Sequence, residues 1–118
     1  MPILNFQKQF ATSVKNGDKR QTIRSPRKHP IREGDTLYLY TGLRTKNTEK
    51  LNEVICDEVV DVEIGLRRVD IAGGFFWIDH QTDLDDFAKE DGFKNYDDMR
   101  RWFKDTHGLP FKGTLIKW

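Results

Sequence analysis

Short segments of strand-forming residues, separated by glycine and proline turns, constrain the fold of this chain more than any other feature of its sequence. Apolar and polar positions alternate in segment 36–41, which is typical of a strand with one buried face. The predicted strands are residues 3–6, 22–24, 36–41, 53–69, 75–78 and 113–118. We interpret 53–69 as one long strand that is bulged or broken, and 42–52 as a polar loop.

Helical patterns occupy the region after the first strand and the acidic C-terminal half of the chain. Apolar spacing predicts one helix over about residues 7–16. A second helix is expected to begin at Thr82, with Asp85 three residues later as a relative of the capping box, and to end at Gly92. Asn95 is expected to cap a third helix.

Together these elements predict a single α+β domain over residues 1–118, because a chain of this length is sufficient for one core. We expect a partly closed β-barrel of about five or six strands with two or three short helices, since closing a sheet removes its exposed edges. Residues 75–77 are expected to lie in the core or to pack on a helix. Further expected core residues are Trp102, Phe103 and Trp118.

The composition argues against several classes of protein. No run of about 18 apolar residues is present, so no membrane span is expected, and residues 1–6 lack the pattern of a signal peptide. Cys56 is the only cysteine, so no internal disulfide can form and a cytoplasmic location is expected. One cysteine and three scattered histidines offer no metal-ligand spacing, and we expect no metal or other cofactor. A monomer is the default expectation.

The formal net charge of +1 conceals a strong separation of charge along the chain. Between residues 15 and 32 there are seven basic residues and one acid, whereas between 79 and 105 there are nine acids and five bases. Because a basic segment attracts polyanions, the first region predicts a phosphate-bearing partner. No membrane partner is expected, since no long apolar run is present. The candidate binding residues there are Arg20, Arg24 and Arg27. A solvated loop is the alternative.

The block 19–24 is the most informative part of that basic region. If residues 22–24 are extended, Thr22 and Arg24 point to one face, and the long side chain of Lys19 can reach the same pocket. An arginine binds phosphate or carboxylate, and a lysine near an arginine can act as a base through a lowered pKa. Threonine becomes a nucleophile when such a base takes its proton. A basic surface hairpin without chemistry is an equally good interpretation of this block alone.

Two further pairs of residues could extend a nucleic-acid surface. Tyr38 and Tyr40 share one face of the predicted strand 36–41 and could stack bases. Arg44 and Lys46 could follow a phosphate backbone, although they are equally plausible as ordinary loop charges.

Several motifs carry a family resemblance. Block 19–24 follows the pattern Lys-x-x-Thr-Ile-Arg, and 32–39 adds Gly-Asp before an apolar strand. Continued by 87–93 and 109–113, these motifs resemble in order and spacing the signature of the ASCH domain family over nearly the whole chain. Segment 40–46 is similar to a stretch in small bacterial and phage members. The resemblance implies a PUA-like β-barrel with a cleft that binds RNA or a nucleotide, and therefore RNA or a modified nucleoside as the expected partner.

One branch of that family hydrolyses N4-acetylcytidine with a lysine, a threonine and a glutamate. The resemblance places these roles on Lys19, on Thr22 and near Asp91, whose side chain is one methylene shorter than glutamate. At a helix C-terminus Asp91 also meets the negative end of the helix dipole, which raises its pKa unless Lys19 or Arg24 compensates. Hydrolysis of an N4-acetylcytidine-type amide, with Arg24 orienting the substrate, is therefore the expected function. An RNA-binding module without catalysis and a single-stranded-RNA ribonuclease are the alternatives.

Overall fold

Residues 2–118 are described in a computed structural model of the chain. Over that range the chain forms eight short strands and three helices, so the predicted α+β class is confirmed. The elements are β1 (Ile3–Phe6), α1 (Lys8–Asn16), β2 (Gln21–Arg24), β3 (Thr36–Thr41), β4 (Glu49–Ile55), β5 (Glu58–Ile64), β6 (Val69–Ile71), β7 (Phe76–Ile78), α2 (Gln81–Glu90), α3 (Tyr96–Thr106) and β8 (Phe111–Lys117). None of these helices is long and apolar enough to cross a membrane.

Three strands form a first sheet in the order β1-β3-β4, with β1 parallel and β4 antiparallel to β3. Leu37 and Leu39 on β3 are completely buried, whereas Tyr38 and Tyr40 between and after them keep part of their surface exposed. This alternation is the one that the sequence predicts, because successive side chains of a strand point to opposite faces.

Five strands form a second sheet in the order β2-β8-β5-β6-β7, and all neighbours are antiparallel. The C-terminal strand β8 lies between β2 and β5, as its apolar ending predicts. Leu115 and Ile116 are adjacent, point to opposite faces and are both buried, so β8 is covered on both sides.

The predicted barrel is not confirmed, because the two sheets share no strand and do not close. The strand predicted at 53–69, bulged or broken, is broken into the end of β4, all of β5 and the first residue of β6. Strand β4 already begins within the loop predicted at 42–52. The chain changes sheets between β4 and β5. The backbone N–H of Cys56 donates to the carbonyl of Asp35 before β3, and that of Asp57 donates to the carbonyl of Lys117 on β8, both at 2.8 Å. Alternation of apolar residues does not reveal that the chain passes from one sheet to the other.

The end of α1 agrees with the sequence-based prediction, whereas the start of α2 differs from it. Gly17 ends α1 with φ 87° in the left-handed region, as predicted. The predicted capping box of α2 is wrong, because the helix begins after His80 without a side-chain cap and Thr82 lies inside it. Asp85 instead accepts a hydrogen bond from the backbone N–H of Tyr96 at 2.9 Å. Its carboxylate therefore connects α2 to the start of α3.

Helix α3 is fixed at its start by a cap and along its length by a buried face. The side chain of Asn95 accepts a hydrogen bond from the backbone N–H of Asp98 at 2.9 Å, as predicted. The Tyr96 hydroxyl donates to the carbonyl of Gly65 at 2.7 Å and so fastens α3 to the turn between β5 and β6. The expected core aromatics Phe103 and Trp118 are buried, while Trp102 is only partly buried.

Residues 75–77 are exposed, contrary to the prediction that they lie in the core or pack on a helix. The exposed fractions are 78% for Phe75, 60% for Phe76 and 54% for Trp77. They lie on and beside β7, which is the edge strand of the second sheet and pairs only with β6. An edge strand has a neighbour on one side only, and the apolar character of a segment does not reveal its position in a sheet.

Replacing Asn95 by alanine removes the oxygen that caps α3. We expect Asn95→Ala to lower the free energy of unfolding by about 1 kcal/mol in urea denaturation. Asn95→Asp keeps an acceptor and places a negative charge at the helix N-terminus, so it should stay within about 0.5 kcal/mol of the wild type. Equal losses in the two variants would contradict the capping role.

Candidate active site

A cavity of about 380 Å³ lies among β1, β2, the end of α2 and α3. Its aromatic wall consists of Phe6, Phe10, Phe93, Trp102 and Phe103. Its polar lining includes Asn5, Lys19, Thr22, Arg24, Asp91 and His107. The three residues predicted as catalytic therefore line one cavity. A larger depression of about 630 Å³ lies over the second sheet, and none of those three residues lines it.

Lys19 is directed inward by the way α1 ends. After Gly17 the chain turns back, and the backbone N–H of Lys19 donates to the carbonyl of Ser13 at 2.9 Å. The Lys19 side chain is only 3% exposed, and its Nζ lies 5.0 Å from the centre of the Phe10 ring. An aromatic face attracts a cation, so this ring stabilises the ammonium form.

Asp91 is directed inward by the end of α2. It is the C-terminal capping residue, followed by Gly92 at φ 93°. The backbone N–H of Phe93 then donates to the carbonyl of Ala88 at 2.9 Å. The predicted helix stop is thus confirmed, and it leaves Asp91 buried rather than on the surface.

Lys19 and Asp91 form a buried ion pair. Lys19 Nζ lies 3.4 Å from Asp91 Oδ1 and also donates a hydrogen bond to the backbone carbonyl of Asp91. Gln21 Nε2 donates to the same Oδ1 at 3.3 Å. These partners offset the loss of water around the two groups. Among the described residues, no buried side-chain nitrogen or oxygen lacks a hydrogen-bond partner.

The pKa shifts of the pair are set first by burial. Burial lowers the pKa of the Lys19 ammonium, against the attraction of Asp91. Burial also raises the pKa of Asp91, against the attraction of Lys19 and the hydrogen bond from Gln21. The helix dipole was the cause expected from the sequence, whereas desolvation is the larger cause here. Both shifts favour the neutral forms, a free amine on Lys19 and a carboxylic acid on Asp91.

Thr22 is positioned by Arg24. Arg24 Nε donates to Thr22 Oγ1 at 2.9 Å, and another guanidinium nitrogen donates to the carbonyl of Asn5 at 2.8 Å. The guanidinium carbon lies 4.7 Å from the centre of the Phe6 ring. Because Thr22 Oγ1 accepts from Arg24, its own hydrogen remains available for donation to another group.

Arg20 and Arg27 lie outside this cavity. Arg20 Nε donates to the carbonyl of Trp118 at 3.2 Å, and its side chain lines a separate groove. Arg27 lines a cavity of about 190 Å³ that also contacts Arg24 and Ser25. This smaller cavity therefore adjoins the first.

Four further predicted binding residues do not line the cavity: Tyr38, Tyr40, Arg44 and Lys46. The Tyr38 ring instead has Lys50 Nζ 5.5 Å from its centre. The loop that carries Arg44 begins beside the cavity, because the backbone N–H of Leu43 donates to the side chain of Asn5 at 3.1 Å.

Gln21 and His107 are among the residues of this site that were not predicted from the sequence, and of these two only His107 lines the cavity. Gln21 contacts the Asp91 carboxylate, and His107 packs against Phe111 with ring centres 4.5 Å apart. His107 directly follows α3, and a single histidine at a helix end forms no recognisable sequence pattern. Gln21 is within block 19–24, and only the strand geometry of β2 shows which way it points.

Comparisons with known proteins yield no match, either to a family model, to a curated protein or to a solved structure.

Gly92 allows the close packing of the helix stop against Lys19. A Cβ at this position would lie 3.0 Å from Phe10 Cδ1 and 3.1 Å from Lys19 Cδ, whereas a Cβ at Gly17 would meet nothing within 4 Å. Both glycines have positive φ, so replacing either by alanine should lower the free energy of unfolding by about 1–2 kcal/mol through backbone strain. In urea denaturation we expect Gly92→Ala to lower the free energy of unfolding by about 1 kcal/mol more than Gly17→Ala does. Equal losses would contradict the contact.

The ion pair can be tested with a double-mutant cycle. Lys19→Met leaves the Asp91 carboxylate buried without its cation. We expect it to lower the free energy of unfolding by about 3–5 kcal/mol at pH 7. The double variant Lys19→Met/Asp91→Asn should cost less than Lys19→Met alone. Because the Asp91 pKa is raised in the folded protein, the loss in Lys19→Met should shrink as pH falls and the carboxyl protonates. Additive losses, or no pH dependence, would contradict the coupling.

Proposed function

We propose that this protein hydrolyses the amide of an N4-acylated cytidine, with N4-acetylcytidine as the best candidate substrate. The observation that carries the proposal is the meeting of Lys19, Thr22 and Asp91 in one cavity, although Asp91 is 72 residues from Lys19. A base, a hydroxyl and a proton donor are the three groups that this hydrolysis requires. The volume of about 380 Å³ lies within the usual range for small-ligand sites.

The directions of the two pKa shifts suit these roles. A Lys19 amine with a lowered pKa can accept a proton, and an Asp91 carboxyl with a raised pKa can give one. The neutral pair carries the same number of protons as the ion pair, so a single proton transfer from Lys19 to Asp91 produces it.

Each step of the reaction then has a group in place. Thr22 Oγ1 attacks the acyl carbon while Lys19 Nζ takes its proton, and Arg24 Nε keeps its hydrogen bond to that oxygen. Asp91 gives its proton to N4 as the carbon–nitrogen bond breaks, which releases cytidine and leaves the acyl group as an ester on Thr22. Water attacks the ester and gives a proton to Asp91, and Lys19 returns its proton to Thr22. The products are cytidine and a carboxylic acid.

The aromatic wall is suited to a planar base. Phe93 and Trp102 have ring centres 5.9 Å apart, and Phe10 packs edge-on against Phe93 at 5.3 Å. Aromatic faces stack on nucleobases with about 1–3 kcal/mol per base. Stacking on this wall would leave the N4 substituent of cytidine to face the polar groups.

We also propose that the chain is an ASCH domain with a PUA-like fold, in which the two sheets are an opened form of the barrel. This rests on the order of its motifs and on the short connection between the sheets at 56–57. The Phe6 and Trp118 rings pack edge-on at 6.0 Å and so bridge the two sheets. A cytoplasmic location is consistent with the unpaired, buried Cys56.

The test is release of cytidine from N4-acetylcytidine by the purified protein, followed by chromatography. We expect Lys19→Ala, Thr22→Val and Asp91→Asn each to lower kcat by at least about 10²-fold. The exposed Lys8→Ala is the control and should leave the rate unchanged. The pH profile should be bell-shaped, because added protons charge Lys19 at low pH and loss of a proton charges Asp91 at high pH.

Two outcomes would decide against the hydrolase. One is no turnover of N4-acetylcytidine or of related acylated cytidines by the folded wild type. The other is turnover that persists in Lys19→Ala. If RNA binds in a salt-dependent manner without turnover, the binding module is the better description. Cleavage of labelled single-stranded RNA that is lost in Lys19→Ala would instead identify a ribonuclease.

A further inference from the structure

A second groove, of about 260 Å³, lies between α2 and the second sheet. It shares no lining residue with the candidate active site. Its apolar lining consists of Val60, Ile71, Ile78, Phe87 and Leu115. These side chains come from four different strands and from α2, so the groove follows the length of the helix across the sheet.

The apolar lining continues onto the exposed edge of the sheet. Phe76 pairs with Ile71 across the strands and lies two residues from Ile78, so all three share one face. Phe76 is 60% exposed, and Phe75, which is 78% exposed, packs edge-on against it at 5.1 Å. The two rings present on the order of 300 Å² of apolar surface, a size at which a surface patch is often functional.

Strand β7 adds a free edge of backbone to this patch. It pairs with β6 on one side and is the last strand of the sheet order on the other. The backbone N–H and C=O groups of an edge strand can pair with an extended segment of another chain. An added strand at this edge would direct every second side chain toward the groove.

The rim of the groove is acidic. Its carboxylates are Glu58, Asp83, Asp86 and Glu90, and Lys117 is the one basic residue in the described lining. None of these four carboxylates takes part in an ion pair within residues 2–118. Asp83, Asp86 and Glu90 follow helical spacing and therefore project from the same face of α2.

We propose that this groove and β7 bind an extended, positively charged segment of a partner protein. Its backbone pairs with β7, its alternate apolar side chains lie on the groove floor beside Phe76, and its lysine or arginine side chains meet the acidic rim. Charge selects this occupant over a second copy of the chain. Antiparallel pairing of β7 with β7 would place both acidic α2 rims on the same side of the joined sheet, where they repel each other.

A synthetic probe with this pattern tests the surface on the full chain. The probe is a fluorescein-labelled peptide of about eight residues with alternating lysine and valine, and its anisotropy reports binding. A peptide with glutamate in place of lysine is the charge control. We expect the lysine peptide to bind at least about tenfold more tightly than the glutamate peptide, with an affinity that falls as salt is added.

Matched variants locate the binding. Phe76→Ser should weaken the lysine peptide about tenfold, whereas Ile55→Ser, at an equally exposed position on β4, should not. The triple variant Asp83→Asn/Asp86→Asn/Glu90→Gln should weaken binding and its salt dependence. The control Glu33→Gln/Asp97→Asn/Asp105→Asn has the same net charge and should bind like the wild type.

Four results would overturn the proposal. They are no binding of the lysine peptide up to about 1 mM, equal binding of the glutamate peptide, and equal losses in the matched control variants. The fourth is self-association of the wild type in sedimentation that disappears in Phe76→Ser, which would make the patch an interface between two copies. Urea denaturation of each variant shows whether a loss of binding reflects unfolding.

Discussion

The buried contact between Lys19 and Asp91 joins the two parts of the molecule on which the candidate site depends. Lys19 follows α1 and leads into β2, whereas Asp91 ends α2, and 72 residues separate them. Removing two charges from water is unfavourable unless each finds partners. Here the partners are each other, the carbonyl of Asp91 and the amide of Gln21. The helix stop at Gly92 therefore lies against the aliphatic part of the Lys19 side chain. This contact fixes the position of the C-terminal end of α2.

The same burial gives the pair its chemical character. A low-dielectric surrounding lowers the lysine pKa and raises the aspartate pKa. The buried pair that joins the end of α2 to the start of β2 is therefore also the pair to which the proposed hydrolysis assigns the base and the acid. Thr22 and Arg24 approach from β2, a neighbour of the C-terminal strand β8. The acidic groove at α2 shares no lining residue with this cavity, so the proposed peptide binding and the proposed hydrolysis would use separate surfaces.

Local patterns in the sequence predicted the elements whose causes are local. Segment 36–41 forms β3 with the expected buried face, Asn95 caps α3, and Gly17 and Gly92 end helices in the left-handed conformation. Other predictions failed where the cause was not local. The change of sheet at Cys56 depends on hydrogen bonds to distant strands, and Asp85 bonds α3 rather than capping α2.

The sequence by itself determined which groups are available: a lysine, a threonine and an arginine within six residues, and an acid at a helix stop. The tertiary structure decided that Lys19, Thr22 and Asp91 share one cavity, because only the tertiary fold places the residue that ends α2 beside the start of β2. It also decided that Tyr38 and Tyr40 do not line that cavity and that Phe76 is exposed. Strand order, which short-range alternation does not encode, determines both.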